Sequence, residues 1–400
     1  IITQYFKLFF LKGVAELRKT MNLRKWILML GIGMAMTSCI QDEALNKEAA
    51  IDGCSGADIQ LTDINNTEKR ILLYVQKGAD LSKQELKFVL PDGAVIEVNE
   101  KKQGDNGNIY DFSEDDHSRT FTVTSEDGEW KAVYTIRIIL TELPTTFRFE
   151  QLLEGSTSKY DILYEENEPT AIGDSKKILQ WASGNPGYEL TSMAKDRTGY
   201  PTMLSADGYI GNCVKLETKD TGSFGAMVKM YIAAGNLFIG NFELGDALKD
   251  APAATKFGFK FFKRPMRLTG YYKYKAGSVF TESGQPNASR KDRFDIYAIF
   301  YEASDNAFML NGSNALTHPS LVAVARISEE EAREADNWTR FDIPFEMKAG
   351  KTVDEEKLAN GEYKLGIVFS SSFDGAYFNG AVGSTLYIDE VELICQESTH

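Results

Sequence analysis

The sequence predicts an all-β protein in two parts, a small N-terminal immunoglobulin-like sandwich followed by a larger jelly-roll β-sandwich. Three observations carry that reading. Short runs rich in Val, Ile, Phe, Tyr and Thr recur along the chain, and many alternate apolar with polar residues. Turn formers such as Pro91-Asp92-Gly93 and Asp127-Gly128 separate them. A single stretch, SEEEAREADN at 328–337, has helical character, with Ser328 and Glu331 spaced as a capping box.

The chain has 400 residues, with Lys+Arg 44 against Asp+Glu 58 and a formal net charge of −14. An acidic surface argues against nucleic acid as a partner and against direct adsorption to anionic lipid. Residues 1–38 read as a targeting segment. Met21-Asn22-Leu23-Arg24-Lys25 is a charged n-region, and residues 26–36 are an apolar run of 11, too short to span a bilayer. Met21 is the expected start, with residues 1–20 as upstream sequence. Thr37-Ser38-Cys39 resembles a bacterial lipobox, so Cys39 is the expected site of lipidation, against an ordinary signal peptide with an incidental Cys. Gln41-Asp42-Glu43 resembles the short acidic signal of surface lipoproteins. The expectation is an outer-membrane lipoprotein facing the cell exterior and held through its lipid anchor. Removal of residues 1–38 takes six basic residues and one acid, which moves the formal charge to −19. The remaining Cys54, Cys213 and Cys395 form no disulfide framework and no zinc spacing.

Residues 39–54 read as a tether. Strands are expected at 70–75, 86–90, 94–98, 120–124 and 133–139, within an immunoglobulin-like module at 55–140 that carries no chemistry and acts as a spacer. Residues 141–146 are a linker. From 147 to 398 the strands lengthen: 228–232, 237–242, 257–262, 268–274, 294–301, 321–327, 341–345, 363–369 and 386–393. This pattern suits a jelly roll.

In several of these strands, aromatics and charges share the side away from one apolar set. FDIYAIFY places Phe294, Ile296, Ala298 and Phe300 one way, and Asp295 and Tyr297 the other. WTRFDIPF places Trp338 and Arg340 opposite Phe341 and Ile343. In LTGYYKY, Tyr272 and Tyr274 share a face. Tyr and Trp offer an apolar ring face with a polar handle, which suits a sugar ring. Tyr272, Tyr274, Asp295, Tyr297, Trp338 and Arg340 are therefore the candidate contacts for an oligosaccharide or polysaccharide. Ordinary β-propensity explains any one of them equally well.

The blocks WASGN (181–185), YPT (200–202), GYIGNCVKLET (208–218), AGNLFIGNF (234–242), GYYKYKAG (270–277), SSSFDG (370–375) and GAVGSTLYIDEVEL (380–393) resemble the family named putative carbohydrate metabolism domain. The resemblance covers about 250 residues. It implies a β-sandwich similar to carbohydrate-binding modules, with no catalytic residues to carry over.

Within GSTLYIDEVEL the apolar phase slips at Asp389-Glu390, which predicts a bulge. Neighbours on one strand point apart, so these acids are a poor glycosidase pair. Asp295 with Asp374 or Asp292 is the better pair for a hydrolase. By analogy with sugar-binding jelly rolls, Glu150 on the first strand and Asp389 on the last are candidates for a structural calcium, against a carboxylate that simply accepts loop N–H bonds. Three functions stay open: a surface lipoprotein that binds glycan without cleaving it, in carbohydrate uptake or metabolism; a glycoside hydrolase on the same fold; and a structural adhesin or surface-assembly subunit.

Overall fold

The computed structural model describes residues 45–153, 159–166, 177–247, 250–303, 305 and 308–396. The expected signal peptide, Cys39 and the first part of the tether, up to residue 44, lie outside them; at the tether's other end Ile51 and Cys54 are buried in the core of the first module. Inter-residue contacts divide the chain after residue 46, and the architecture below is that of the unit Lys47–His400.

Within it, the first module is built on a five-stranded sheet ordered Ile59–Asn65, Arg70–Gln76, Lys131–Thr141, Ser118–Thr124, Val95–Val98. Arg70–Gln76 and Lys131–Thr141 run parallel; their other pairings are antiparallel. The alternation in Ser118–Thr124 points Phe121 and Val123 inward. They pack with Tyr134, Ile136, Leu86 and Tyr110, so the short ladders Gly53–Ser55 with Lys87–Val89 and Gln84–Glu85 with Ile109–Tyr110 close the core. The module is more than a spacer. Gln76, fully buried, accepts a hydrogen bond from the Lys260 amide of the next module, and Leu61, Leu72 and Tyr74 pack with Tyr164.

The second module is a sandwich of two six-stranded antiparallel sheets. The first is ordered Thr202–Ser205, Cys213–Glu217, Thr385–Cys395, Pro265–Lys275, Ala335–Pro344, with Thr146–Phe147 also on Thr385–Cys395. The second is ordered Asn236–Phe238, Tyr363–Ser370, Asp295–Glu302, Leu321–Arg326, Glu346–Met347, with Phe259–Lys260 also on Tyr363–Ser370. Between them lie Leu216, Leu268, Phe341, Ile343, Leu386 and Ile388 from one side and Ile296, Ala298, Phe300, Leu365, Ile367 and Phe369 from the other. This is the face-to-face packing expected of two sheets that each bury one side.

The terminal strand slips where its sequence does. Asp389 stands opposite Tyr271 but Glu392 opposite Thr269, and Glu390 has φ +46. The extra residue lets Ile388 and Val391, of opposite parity, both face the core. It also changes the strand's neighbour on that edge, from Cys213–Glu217 before the bulge to Thr146–Phe147 after it.

Three expectations are corrected. Residues 328–337 form one capped turn: Ser328 and Glu331 exchange side-chain-to-backbone bonds, and the chain then enters the strand Ala335–Pro344. Pairing with the neighbouring strand overrides a marginal helix of one or two turns. The stretch 228–232 is mostly loop after the helix Gly222–Met227. Tyr272 and Tyr274 do not stand on the surface. They continue the parity of Leu268 into the core, where both rings pack on Phe294 at centroid distances of 4.7 and 4.9 Å.

That placement separates two adjacent tyrosines. Tyr272→Ala should lower stability by about 3 kcal/mol, as for other large core truncations. Tyr271→Ala, on the outer face, should cost about 1 kcal/mol through its lost ring contact. Equal losses in denaturant melts of the two variants would show that the faces are assigned the wrong way round.

Candidate functional site

The outer face of the second sheet carries a cavity of ≈460 Å³. Strand alternation builds its floor. Ile296, Ala298 and Phe300 point into the sandwich, so Asp295 and Tyr297 point out. Tyr297 is paired across the ladder with Arg326, the last residue of Leu321–Arg326. Arg326 reaches Asp295 through one edge of its guanidinium, Nε to Oδ1 at 3.1 Å and Nη2 to Oδ2 at 2.7 Å. Nη1 has no partner among the described residues, and Arg326 lines the cavity. Burial pushes the Asp295 pKa up, against the pull of Arg326. Burial and then the Asp295 charge raise that of Tyr297, so its phenol stays a neutral donor.

A loop after Tyr363–Ser370 forms one wall. It is held by a buried knot of hydroxyls around Asp292, which accepts bonds from Ser372 and Ser384 at 2.6 and 2.7 Å and from the Ala381 amide at 2.7 Å. Thr218 bonds Ser371 and Ser372 at 2.8 and 2.6 Å. The knot presents Phe373, whose ring lies 3.4 Å from the Arg293 guanidinium carbon and 4.7 Å from that of Arg326. Asp374 and Tyr377 follow on the same wall. Asp374 is bonded by Arg290 at 2.5 Å. Tyr188 and Phe224, from the short helices Asn185–Glu189 and Gly222–Met227, also line the cavity.

The structure thus divides the sequence candidates. Asp295, Tyr297 and Asp374 share the cavity. Asp292 is the centre of the hydroxyl knot. Trp338 and Arg340 lie on the outer face of the other sheet. There Tyr209, 45% exposed, stacks on Tyr271 at 3.9 Å, Trp338 meets Tyr209 edge-on, and Lys273 Nζ sits 4.7 Å over Trp338. Arg340 is exposed and pairs with Asp342 at 3.5 Å. Arg326 and Phe373 were not among the candidates. Arg326 had a signal, as a lone charge ending an apolar strand whose natural partner is the lone acid of another.

Glu150 and Asp389 meet at one loop. Asp389, fully buried, accepts the amides of Tyr209 and Ile210 on Oδ2 at 2.6 and 3.0 Å; both Glu150 oxygens accept the Asn212 amide at 3.1 Å. A calcium would have to displace amide donors from these oxygens, and among the described residues no three His, Cys, Asp or Glu side chains are grouped to hold a metal. Glu390, across the bulge, pairs with Arg148. Nearby, Glu165 accepts the Arg148 and Phe149 amides and Trp181 Nε1; burial pushes its pKa up to about 7, against the pull of these bonds.

The fold and cavity define a two-sheet antiparallel sandwich with a recessed, aromatic-walled site on one outer face. The chain belongs to the family described as putative carbohydrate metabolism domain, whose model matches residues 148–394. It is 44% identical to a protein of known crystal structure called a putative glycoside hydrolase from Bacteroides thetaiotaomicron VPI-5482; the match covers 90% of this chain and 100% of that one, with a TM-score of 0.70. A second crystal structure, called a putative glycoside hydrolase from Bacteroides vulgatus ATCC 8482, is 47% identical over 63% of this chain and 98% of that one, with a TM-score of 0.57. No curated protein matches the chain.

Burial first, and then the charge of Glu150, push the Asp389 pKa up to about 6, against the pull of the two loop amides. Asp389 is therefore more protonated in the folded chain than in the unfolded one, where its pKa is near 3.8. Its pH-linked stabilisation is full below the unfolded value and is lost as pH rises through the folded one. Asp389→Asn does not titrate. Relative to wild type it should gain on the order of 1–3 kcal/mol between about pH 4 and about pH 7. A difference between the two melts that does not change with pH would remove this assignment.

Proposed function

We propose that the protein binds an oligosaccharide in the cavity over Asp295, Tyr297 and Arg326 without cleaving it, as part of carbohydrate uptake or metabolism. One observation carries this: a carboxylate and a guanidinium are locked together beside aromatic rings, with one guanidinium nitrogen left for a ligand oxygen. Paired charges of this kind fix the orientation of sugar hydroxyls, while Tyr297, Phe373 and Tyr377 offer the apolar contact that supplies most of the binding free energy. The cavity volume falls within the range of ordinary small-ligand sites.

Hydrolysis is the second reading, favoured by the names of the two solved relatives. It needs one carboxyl group to give or take a proton and another to attack the sugar or activate water. Here Asp295 already accepts both bonds from Arg326, and Asp374 is held by Arg290. Those engagements favour binding.

A glycan array on the purified protein, followed by calorimetry on its hits, tests the reading. Tyr297→Ala and Arg326→Ala should each weaken binding about tenfold or more, through a lost ring contact or charge-assisted bond. Reducing sugar released by the wild type and abolished in Asp295→Asn or Asp374→Asn would establish the hydrolase instead. An array without hits would leave the adhesin or surface-assembly reading ahead.

We also infer that the mature protein is held at the outer membrane through acylated Cys39. Two or three acyl chains anchor stably where one is marginal. A tagged fatty acid fed to producing cells should label the wild type, and equal labelling of Cys39→Ala would end this inference.

A further inference from the structure

The floor of the sandwich cavity changes character across the sheet. One ladder row crosses four strands: Arg326 is paired with Tyr297, Tyr297 with Val368, and Val368 with Phe238. All four line the cavity. The row passes from a cation and a phenol to an isopropyl group and a phenyl ring, at intervals of about 4.8 Å. Phe257 meets Phe238 and Tyr297 edge-on, at centroid distances of 5.1 and 6.4 Å. Half-buried Phe242 and Leu316 pack on the same apolar group and also line the cavity.

The neighbouring row is Asp295, Ser370 and Asn236, and its polar groups are engaged within the protein. Asp295 holds Arg326, and Ser370 donates to the Ser372 carbonyl at 2.9 Å. The Asn236 amide accepts the Gly184 N–H at 2.7 Å and donates to the Ala234 carbonyl at 3.4 Å. Thr202, Thr221 and Thr255, also on the lining, each donate to a backbone carbonyl, at 2.7, 2.5 and 2.8 Å. On the sheet floor, Arg326 Nη1 and the Tyr297 phenol have no partner among the described residues, and they stand together at one end. Ser313, Thr317 and Tyr377 line the cavity as well but are exposed to solvent.

We propose, resting on the oligosaccharide reading of this cavity, that it selects a methyl-bearing sugar, 6-deoxy or O-acetylated, with ring hydroxyls at Arg326 and Tyr297 and the methyl over Val368 and Phe238. Tyr297 and Val368 are one strand spacing apart, about the width of a pyranose ring. A ring that bonds Arg326 and Tyr297 through one edge lays its other edge on Val368. A hydroxyl on that edge would leave water and find its possible partners already taken. A methyl there gives up no hydrogen bond and gains apolar contact. A deoxy carbon and an acetyl group share this chemistry.

A glycan array printed with matched pairs tests this, each 6-deoxy or O-acetylated glycan beside its hydroxylated counterpart, with calorimetry on every pair that hits. The methyl-bearing member should bind about tenfold more tightly, the scale of one hydroxyl denied its partner. A preference confined to the deoxy pairs, or to the acetyl pairs, identifies which source supplies the methyl. Equal affinity within the pairs, or preference for the hydroxylated member, overturns the selection and leaves the oligosaccharide site standing. No glycan bound at all overturns both. Val368→Thr keeps a β-branched shape and puts a hydroxyl on the floor, so it should reduce the preference about threefold or more. Leu316→Asn, at a half-buried position, takes its place if Val368→Thr melts below the assay temperature. A preference unmoved in the folded variant overturns the placement of the methyl.

Discussion

The bulge at Asp389-Glu390 is the constraint from which the arrangement of the sandwich follows. Thr385–Cys395 is a central strand, paired on one side with Pro265–Lys275 along almost its whole length. A regular strand of this sequence would bury either Ile388 or Val391 and expose the other. One extra residue, with Glu390 in the left-handed region, buries both. A non-glycine residue at such a φ costs of order 1 kcal/mol, which the pairing of Glu390 with Arg148 and the burial of Val391 offset. The same kink turns the Asp389 carboxylate under the loop at 208–212. That loop in turn carries Tyr209, so the exposed aromatic group on this face depends on a buried acid of the terminal strand that binds the loop's amides directly.

The other face is organised by a comparable device. Asp292 replaces solvent with two hydroxyls and a backbone amide, and Thr218 extends the knot toward the first sheet. Buried carboxylates are tolerated when their lone pairs are taken up in this way. The knot ties the segment after Tyr363–Ser370 to the segment before Asp295–Glu302. Phe373 is thereby fixed against the guanidinium groups of Arg293 and Arg326. Side chains held by packing and hydrogen bonds in this manner lose little entropy when a ligand arrives.

Much of this was legible in the sequence, because period-two alternation reports directly on which residues a sheet buries. FDIYAIFY and WTRFDIPF give the observed faces residue by residue, and the phase slip at Asp389-Glu390 marks the observed bulge. LTGYYKY was ambiguous, since both parities carry tyrosines; the parity of Leu268 resolves it, and the Tyr272–Tyr274 pair proves to be core. The helix expected at 328–337 failed because a capping box specifies only a first turn, and the strand partner at Tyr274 claims Ala335. What alternation does not report is which strands become neighbours. Arg326 meets Asp295 through the pairing of two strands whose adjacency the alternation does not encode. Trp338 and Asp295, grouped by their similar outward patterns, lie on opposite sheets for the same reason.

The distribution of charge bears on what such a site can do. Each acid near the sandwich cavity has a cationic or hydroxyl partner: Asp295 with Arg326, Asp374 with Arg290, and Asp292 with its serines. A general acid or nucleophile must exchange a proton or form a bond during turnover, and each of these carboxylates would first have to give up contacts that also shape the wall. A binding site has the opposite requirement. It gains from groups that do not move and from charges already neutralised, because a neutral ligand then displaces water without leaving an ion unpaired. On the proposed reading the polar groups of the sandwich cavity receive hydroxyls, while the two carboxylates that line it, Asp295 and Asp374, are each held by an arginine.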